Sequence, residues 1–275
     1  MFLKNLNVLK NEQHPYHILN PSPWPLFTSI NLYLFVLSMV LYFHFYIWGF
    51  VHIIFSFITL VITLFGWFSD IIFEATFEGQ HTIKVQENIL MGMCLFIISE
   101  IFFFFAFFWA FFHFSIAPSI WIGGIWPPSG IKPLDPLAIP LLNTVILISS
   151  GFSVTWSHKA IILGLRKQTI ISLVQTIIYG VIFTLFQVYE YNSANFAIND
   201  TAYGSVFFLL TGFHGLHVLI GTIFLIVCLI RQIFYHFFKN HHIGFLCCIW
   251  YWHFVDVVWI FVFFIIYCWS NFWKI

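Results

Sequence analysis

Seven runs of apolar residues, each longer than the roughly 20 residues a helix needs to cross a bilayer, constrain this chain more than any other feature. They lie at about residues 26–48, 50–73, 85–115, 139–161, 169–192, 202–233 and 245–270. Of the 275 residues, 61% are hydrophobic and only 7% charged, against roughly 25% charged in soluble domains. With a mean hydropathy of +0.96, a water-soluble globule could not cover this much apolar surface, so lipid is the solvent for most of it. The reading is an all-α integral membrane protein with seven transmembrane helices. Ten basic and ten acidic residues balance to zero net charge, which argues against nucleic acid as a partner.

Breakers separate the runs. Pro15, Pro21, Pro23 and Pro25 keep the N-terminal segment (1–25) extended until the first helix starts, and only Trp48-Gly49-Phe50-Val51 divides the first two runs, which predicts a tight hairpin. Ala117-Pro118 ends the third run. Gly123-Gly124-Ile125-Trp126-Pro127-Pro128-Ser129-Gly130 predicts a rigid surface loop at a membrane-interface aromatic belt. The third and sixth runs exceed the bilayer requirement and are expected to tilt or protrude. No internal repeat is visible, which disfavours a transporter built from inverted halves.

Lys and Arg set the orientation. Lys4, Lys10, Lys84, Lys159, Arg166, Lys167, Arg231 and Lys239 fall on one side of a seven-span topology, and only Lys132 and Lys274 on the other. The excess places the N-terminus on the cytoplasmic-equivalent side, the matrix in a mitochondrion, and the C-terminus opposite. The N-terminus shows no cleavable address. The 39 Phe, with abundant Ile, Asn and Tyr, read as an AT-rich coding bias and hint at organelle-encoded synthesis. None of the five cysteines forms a CxxC, so no zinc or iron–sulfur spacing is visible, and adjacent Cys247 and Cys248 point different ways on a helix.

Against this background an intramembrane acid stands out. Glu100 sits in Cys94–Pro118, with no Lys or Arg in the run, about ten residues or roughly 15 Å from the Glu87/Asn88 end. An unpaired acid there costs several kcal/mol or stays protonated. It is either a proton-accepting site, a switch facing lipid or a subunit, or a buried neutral carboxyl fixing helix packing.

His214 and His217 are spaced i, i+3, as are His253 and Asp256. That spacing suits a metal or haem, but a metal needs three or four converging ligands. Interhelical hydrogen bonding is the preferred reading, with Gly212, Gly215 and Gly221 allowing close backbone approach. Glu78-Gly79-Gln80-His81 is a single ExxH, whereas a di-iron site needs two and further Glu. Asp70, Glu74 and Glu78 put acid on one helix face, which reads either as a solvated helix end or as a headgroup site flanked by Trp67 and His81. Arg231, at a helix end, is then the natural phosphate partner.

Taken together, the motifs resemble the cytochrome c oxidase subunit III family. Those that carry the resemblance are His14-Pro15-Tyr16-His17, Asn20-Pro21-Ser22-Pro23-Trp24-Pro25-Leu26, Ile97-Ile98-Ser99-Glu100, Phe108-Trp109-Ala110-Phe111, Gly123–Pro128, Pro140-Leu141-Leu142-Asn143-Thr144, Gly212–Val218 and Trp250–Trp259. They run collinearly from His14 to Trp269. The resemblance implies a two-helix part (26–73) and a five-helix part (74–275) around a V-shaped cleft holding phospholipids: phosphatidylglycerol, phosphatidylethanolamine or cardiolipin.

It implies no haem or copper in this chain, since haem a and copper belong to partner subunits I and II. The implied role is non-catalytic: stabilising the oxidase core, supporting proton uptake and protecting the active site in turnover. Glu100 matches the family's buried carboxylate, discussed for proton- or lipid-related roles. Glu74, His81, Trp109, His217 and Arg231 match cleft-lining positions, and together with Trp67, from the headgroup reading above, they are the expected lipid-binding residues. His214, His253 and Asp256 are expected as structural polar contacts.

The chain departs from the family where it has Ser69 and Phe73 in place of two Arg, Leu246 in place of Glu, and a slight extension after Trp269. A quinol-oxidase version is a close variant, but it commonly lacks the first two helices. The alternatives from other classes are an independent proton channel or transporter using Glu100 and the intramembrane histidines, and a haem-bearing membrane enzyme.

Overall fold

The computed structural model describes residues 16–18 and 21–272. The expectations placed on Lys4, Lys10, His14, Pro15, Asn20 and Lys274 lie outside the described residues. Among those described, seven helices are long and apolar enough to span a membrane: α1 (Trp24–Phe43), α2 (Gly49–Phe73), α3 (Ile83–Ile116), α4 (Ile139–Leu163), α5 (Arg166–Ser193), α6 (Ala202–Ile233) and α7 (Ile243–Val262). A π-helical turn, Glu74–Glu78, prolongs α2. Another, Phe263–Cys268, prolongs α7 and leads into a last helical turn, Trp269–Phe272.

The chain divides into two compact units, Met1–Ile89 and Leu90–Ile275. In the first, Pro25 occupies the opening turn of α1, where the missing N–H is not needed. The predicted hairpin is present but turns earlier than the sequence reading placed it. Helix α1 stops at Phe43, and Phe45, at φ 60°, makes the turn. Gly49 then opens α2, where a Cβ would lie 2.6 Å from the Tyr42 backbone. Ser56 donates to Ser38 at 3.4 Å and Asn31 to Thr63 at 3.5 Å across the pair. Gly66 leaves a notch that the Trp24 ring fills, and the Trp24 indole N–H donates to Asp70.

The second unit has its core on α7. Trp252 is fully buried; its indole N–H donates to Ser150 Oγ of α4 at 2.9 Å, while its ring lies where Gly180 of α5 and Gly221 of α6 lack a Cβ. Trp259 repeats the pattern, donating to Thr144 at 2.9 Å and meeting Phe183 edge-on at 4.8 Å. In lipid, where burying apolar surface gains little between helices, such small-residue notches and interhelical hydrogen bonds carry the association. Of the glycines expected to allow close approach, only Gly221 does so. A Cβ on Gly215 would meet nothing within 4 Å, and on Gly212 only the Tyr191 hydroxyl at 4.0 Å.

The loop after α3 also differs from expectation. Trp126 is not a surface anchor but a buried plug, against Phe111 at 5.6 Å and Tyr203 at 5.4 Å. Its neighbour Trp121 is the exposed aromatic of that loop.

Candidate functional site

Two constellations gather several of the residues singled out by sequence, one in each unit. In the first unit, the π-turn carries the acidic face past the end of α2, and Gly79, at φ 70°, terminates it. Asp70, Glu74 and Glu78 line one open 420 Å³ pocket together with Pro21, Ser22 and Gln80. Glu74 lies 4.0 Å from His17, whose ring meets the His81 ring edge-on at 5.2 Å. Glu74 Oε2 is buried and accepts no hydrogen bond. Trp67 is half-buried on α2, three residues before Asp70. The left-handed Gly79 also breaks the helix between Glu78 and His81, so the ExxH pattern does not lie on one helical turn.

In the second unit, the centre is Glu100, half-way along the 34-residue α3. Two features differ from the sequence expectation. The acid is not unpaired, because His217 Nε2 of α6 lies 2.8 Å from Glu100 Oε2. Nor is it fully buried: 22% of its side chain remains exposed, against 10% for His217. The cause is that Glu100 projects along the flank of α3 toward α6, with exposed Ile101 and Phe102 as its neighbours.

The tautomer follows from the other ring nitrogen. His217 Nδ1 lies 2.7 Å from the Phe213 carbonyl, which can only accept, so Nδ1 carries a proton. A single proton then occupies the contact between Nε2 and Oε2. It sits either on the carboxyl or on the imidazole, and the pair is neutral overall in both arrangements. Phe104 and Tyr251 wall the imidazole at centroid distances of 5.1 and 6.3 Å.

Two further histidines of the second unit contact neighbouring helices. His214, buried between Phe183 and Trp259, lies 3.2 Å from the Val255 carbonyl of α7 through Nε2. His253 reaches Thr155 of α4 at 3.3 Å and Asp256, one turn along its own helix, at 3.5 Å. The Asp256 carboxylate also lies against Gly151 of α4, where a Cβ would come within 2.7 Å of Oδ2, and its Oδ1 is buried and unpaired. Trp109 is exposed on α3, 6.3 Å from Phe105, and does not join the Glu100 pair. Three residues that the sequence does not single out complete these contacts: His17, Thr155 and the Phe213 carbonyl. His17 and Phe213 lie in motifs that carry the family resemblance, and Thr155 does not. Among the described residues, no three His, Cys, Asp or Glu side chains converge as metal ligands would, and all five thiols are free.

Arg231 lies at the end of α6 with its guanidinium 4.4 Å from the Phe237 ring centroid, in the space left by Gly244. No ion pair among the described residues includes it, and its buried Nε has no acceptor. Arg166 at the start of α5 donates to the Tyr235 hydroxyl and the Ile233 carbonyl, both at 2.7 Å. The basic α4–α5 and α6–α7 connections are therefore tied together at one end of the unit.

Within the second of these connections, burial and then the Arg231 charge hold His236 and His241 below the usual histidine value. The unfolded loop therefore binds more protons, so its stability is present above about pH 6.5 and falls as the pH drops through that value. Hydrogen exchange of the Phe234–His242 amides, corrected for intrinsic rate, is expected to accelerate several-fold below that pH while the α7 core stays protected.

With this geometry in view, comparison with known proteins is decisive. The profile of the cytochrome c oxidase subunit III family matches residues 14–271. The chain belongs to that family. It is 50% identical over 263 residues to the cytochrome c oxidase subunit 3 of Papio hamadryas, covering 96% of this chain and all of that one. The subunit 3 of Prototheca wickerhamii is 54% identical over 259 residues, covering 94% and 99%. That of Chondrus crispus is 52% identical over 260 residues, covering 94% and 96%. Membership of the subunit III family and seven spanning helices together make the chain a multi-pass membrane protein.

Proposed function

We propose that this chain is a non-catalytic core subunit of cytochrome c oxidase, respiratory complex IV, in the mitochondrial inner membrane. Haem a and copper belong to partner subunits I and II, where electron transfer and oxygen reduction take place in aerobic respiration. This chain steadies that core, holds phospholipid and supports proton uptake. The observation that carries the proton-related part is the 2.8 Å contact between Glu100 Oε2 and His217 Nε2 at the middle of a bilayer-spanning helix. The tied basic connections at one end of the second unit support an N-terminus in the matrix and a C-terminus in the intermembrane space.

The experiment is proton uptake by the assembled oxidase in vesicles. Glu100→Gln is expected to lower uptake during sustained turnover while leaving the haem and copper spectra unchanged. Wild-type uptake in that variant would sink the proton-related reading. Proton conductance by the isolated chain in liposomes would instead favour an independent channel.

Two features support lipid holding. Arg231 offers to a phosphate a half-buried cation that has no acidic partner among the described residues. The Asp70, Glu74 and Glu78 pocket, with Ser69 and Phe73 in place of basic residues, suits the ammonium of a phosphatidylethanolamine better than phosphatidylglycerol or cardiolipin. Mass spectrometry of the purified oxidase is expected to find fewer retained phospholipids in Arg231→Gln. Glu74→Gln is expected to reduce retained phosphatidylethanolamine selectively, and an unchanged lipid inventory in both variants would overturn this part.

A further inference from the structure

An acid buried more deeply than Glu100 lies in the same unit, apart from the Glu100–His217 pair and sharing no residue with it. Glu190, near the end of α5, is 1% exposed. Its Oε1 accepts the Tyr267 hydroxyl at 2.5 Å, from the π-turn that prolongs α7, and Gln187 Nε2 at 3.4 Å. Its Oε2 is buried and has no partner. Gln187 Oε1, one turn earlier on the same helix, is in the same condition.

The other titratable groups facing Glu190 are phenols. Tyr191 donates to Thr211 of α6 at 2.8 Å, and Tyr203 lies on the first turn of α6. Among the described residues, no Lys, Arg or His acts on Glu190. An ionised carboxylate here would be a charge without a counter-charge, next to a second stranded acceptor, in a region lined by aromatic rings. One proton on Oε2 removes both conflicts. It cancels the charge and turns a stranded acceptor into a donor beside Gln187 Oε1.

We propose that Glu190 is a proton-binding site, holding one proton on Oε2 in the folded protein and joining α5 to the end of α7 as a neutral hydrogen-bonding acid. The ligand is a proton taken from water, and the carboxyl keeps it while Tyr267 donates to the opposite oxygen. This inference does not depend on the proposed function, because it concerns only contacts within this chain.

Infrared difference spectroscopy of the purified membrane complex at neutral pH tests it. Wild type minus Glu190→Gln is expected to show loss of the carbonyl stretch of a protonated carboxyl, with no loss of carboxylate stretching bands. Loss of carboxylate bands instead would overturn the proposal. Should Glu190→Gln fail to assemble, Tyr267→Phe supplies the second reading. Removing the hydroxyl that donates to Oε1 is expected to shift the same carbonyl band to higher frequency. A carbonyl region left unmoved by Tyr267→Phe would equally overturn the assignment.

Discussion

Replacing Trp252 by Ala is expected to destabilise the second unit by about 3 kcal/mol, the low end of the range for large-to-small substitutions at a buried Trp. The low end applies because part of the hydrophobic term disappears when the alternative to protein is lipid. What remains is the cavity itself and the lost bond to Ser150. The indole fills a space bounded by α4, α5 and α6 at once, and three helices cannot close over it without each moving.

The complementary change makes the same point from the other side. A Cβ on Gly180 would lie 2.7 Å from Thr222 Oγ1 and 2.9 Å from the Trp252 ring, so Gly180→Val is expected to cost about 1–3 kcal/mol by overpacking. Thermal unfolding of the assembled complex, followed by loss of this subunit, checks both. A midpoint unchanged in both variants would mean that Trp252 is not the centre of the packing.

The second large effect is expected at Glu100 and His217. Removing either partner leaves the other polar and poorly solvated, at a cost of about 1–2 kcal/mol in a membrane interior. The double variant Glu100→Ala/His217→Ala is expected to cost less than the sum of the two single variants, because no stranded group remains. A coupling of about 1 kcal/mol in the same unfolding measurement would match a 2.8 Å contact. Strict additivity would contradict it.

Much of the fold was legible without coordinates. The apolar runs, read against bilayer thickness, set the number and placement of the seven spans to within a few residues. The largest error, five residues at the end of α1, arose because His44-Phe45-Tyr46-Ile47 carries no charge, Gly or Pro to mark the end of the run. Hydropathy carries no signal for a turn made by a non-glycine residue at positive φ. The loop Trp126 was misplaced for a related reason. Composition makes an interfacial Trp and a buried one look alike, and only Phe111 and Tyr203 converging on the same ring distinguish them.

The site was legible in part. Glu100, His214, His217, His253 and Asp256 are visible in sequence because polar groups in an apolar run are costly and therefore rare. Their pairing is not visible, since Glu100 and His217 lie 117 positions apart, and no local pattern says which faces of α3 and α6 meet. Glu190 escaped notice for the opposite reason. At the end of a run, next to Asn192 and Ser193, an acid reads as a solvated terminus, and only the fold of Tyr267 back over it makes it interior. The sequence by itself therefore determined the solvent, the number of crossings and which polar groups had to find partners, because these follow from transfer energies that each residue carries with it. The tertiary structure alone decided who the partners are and where glycine notches admit an indole, because those depend on distances between helices remote in the chain.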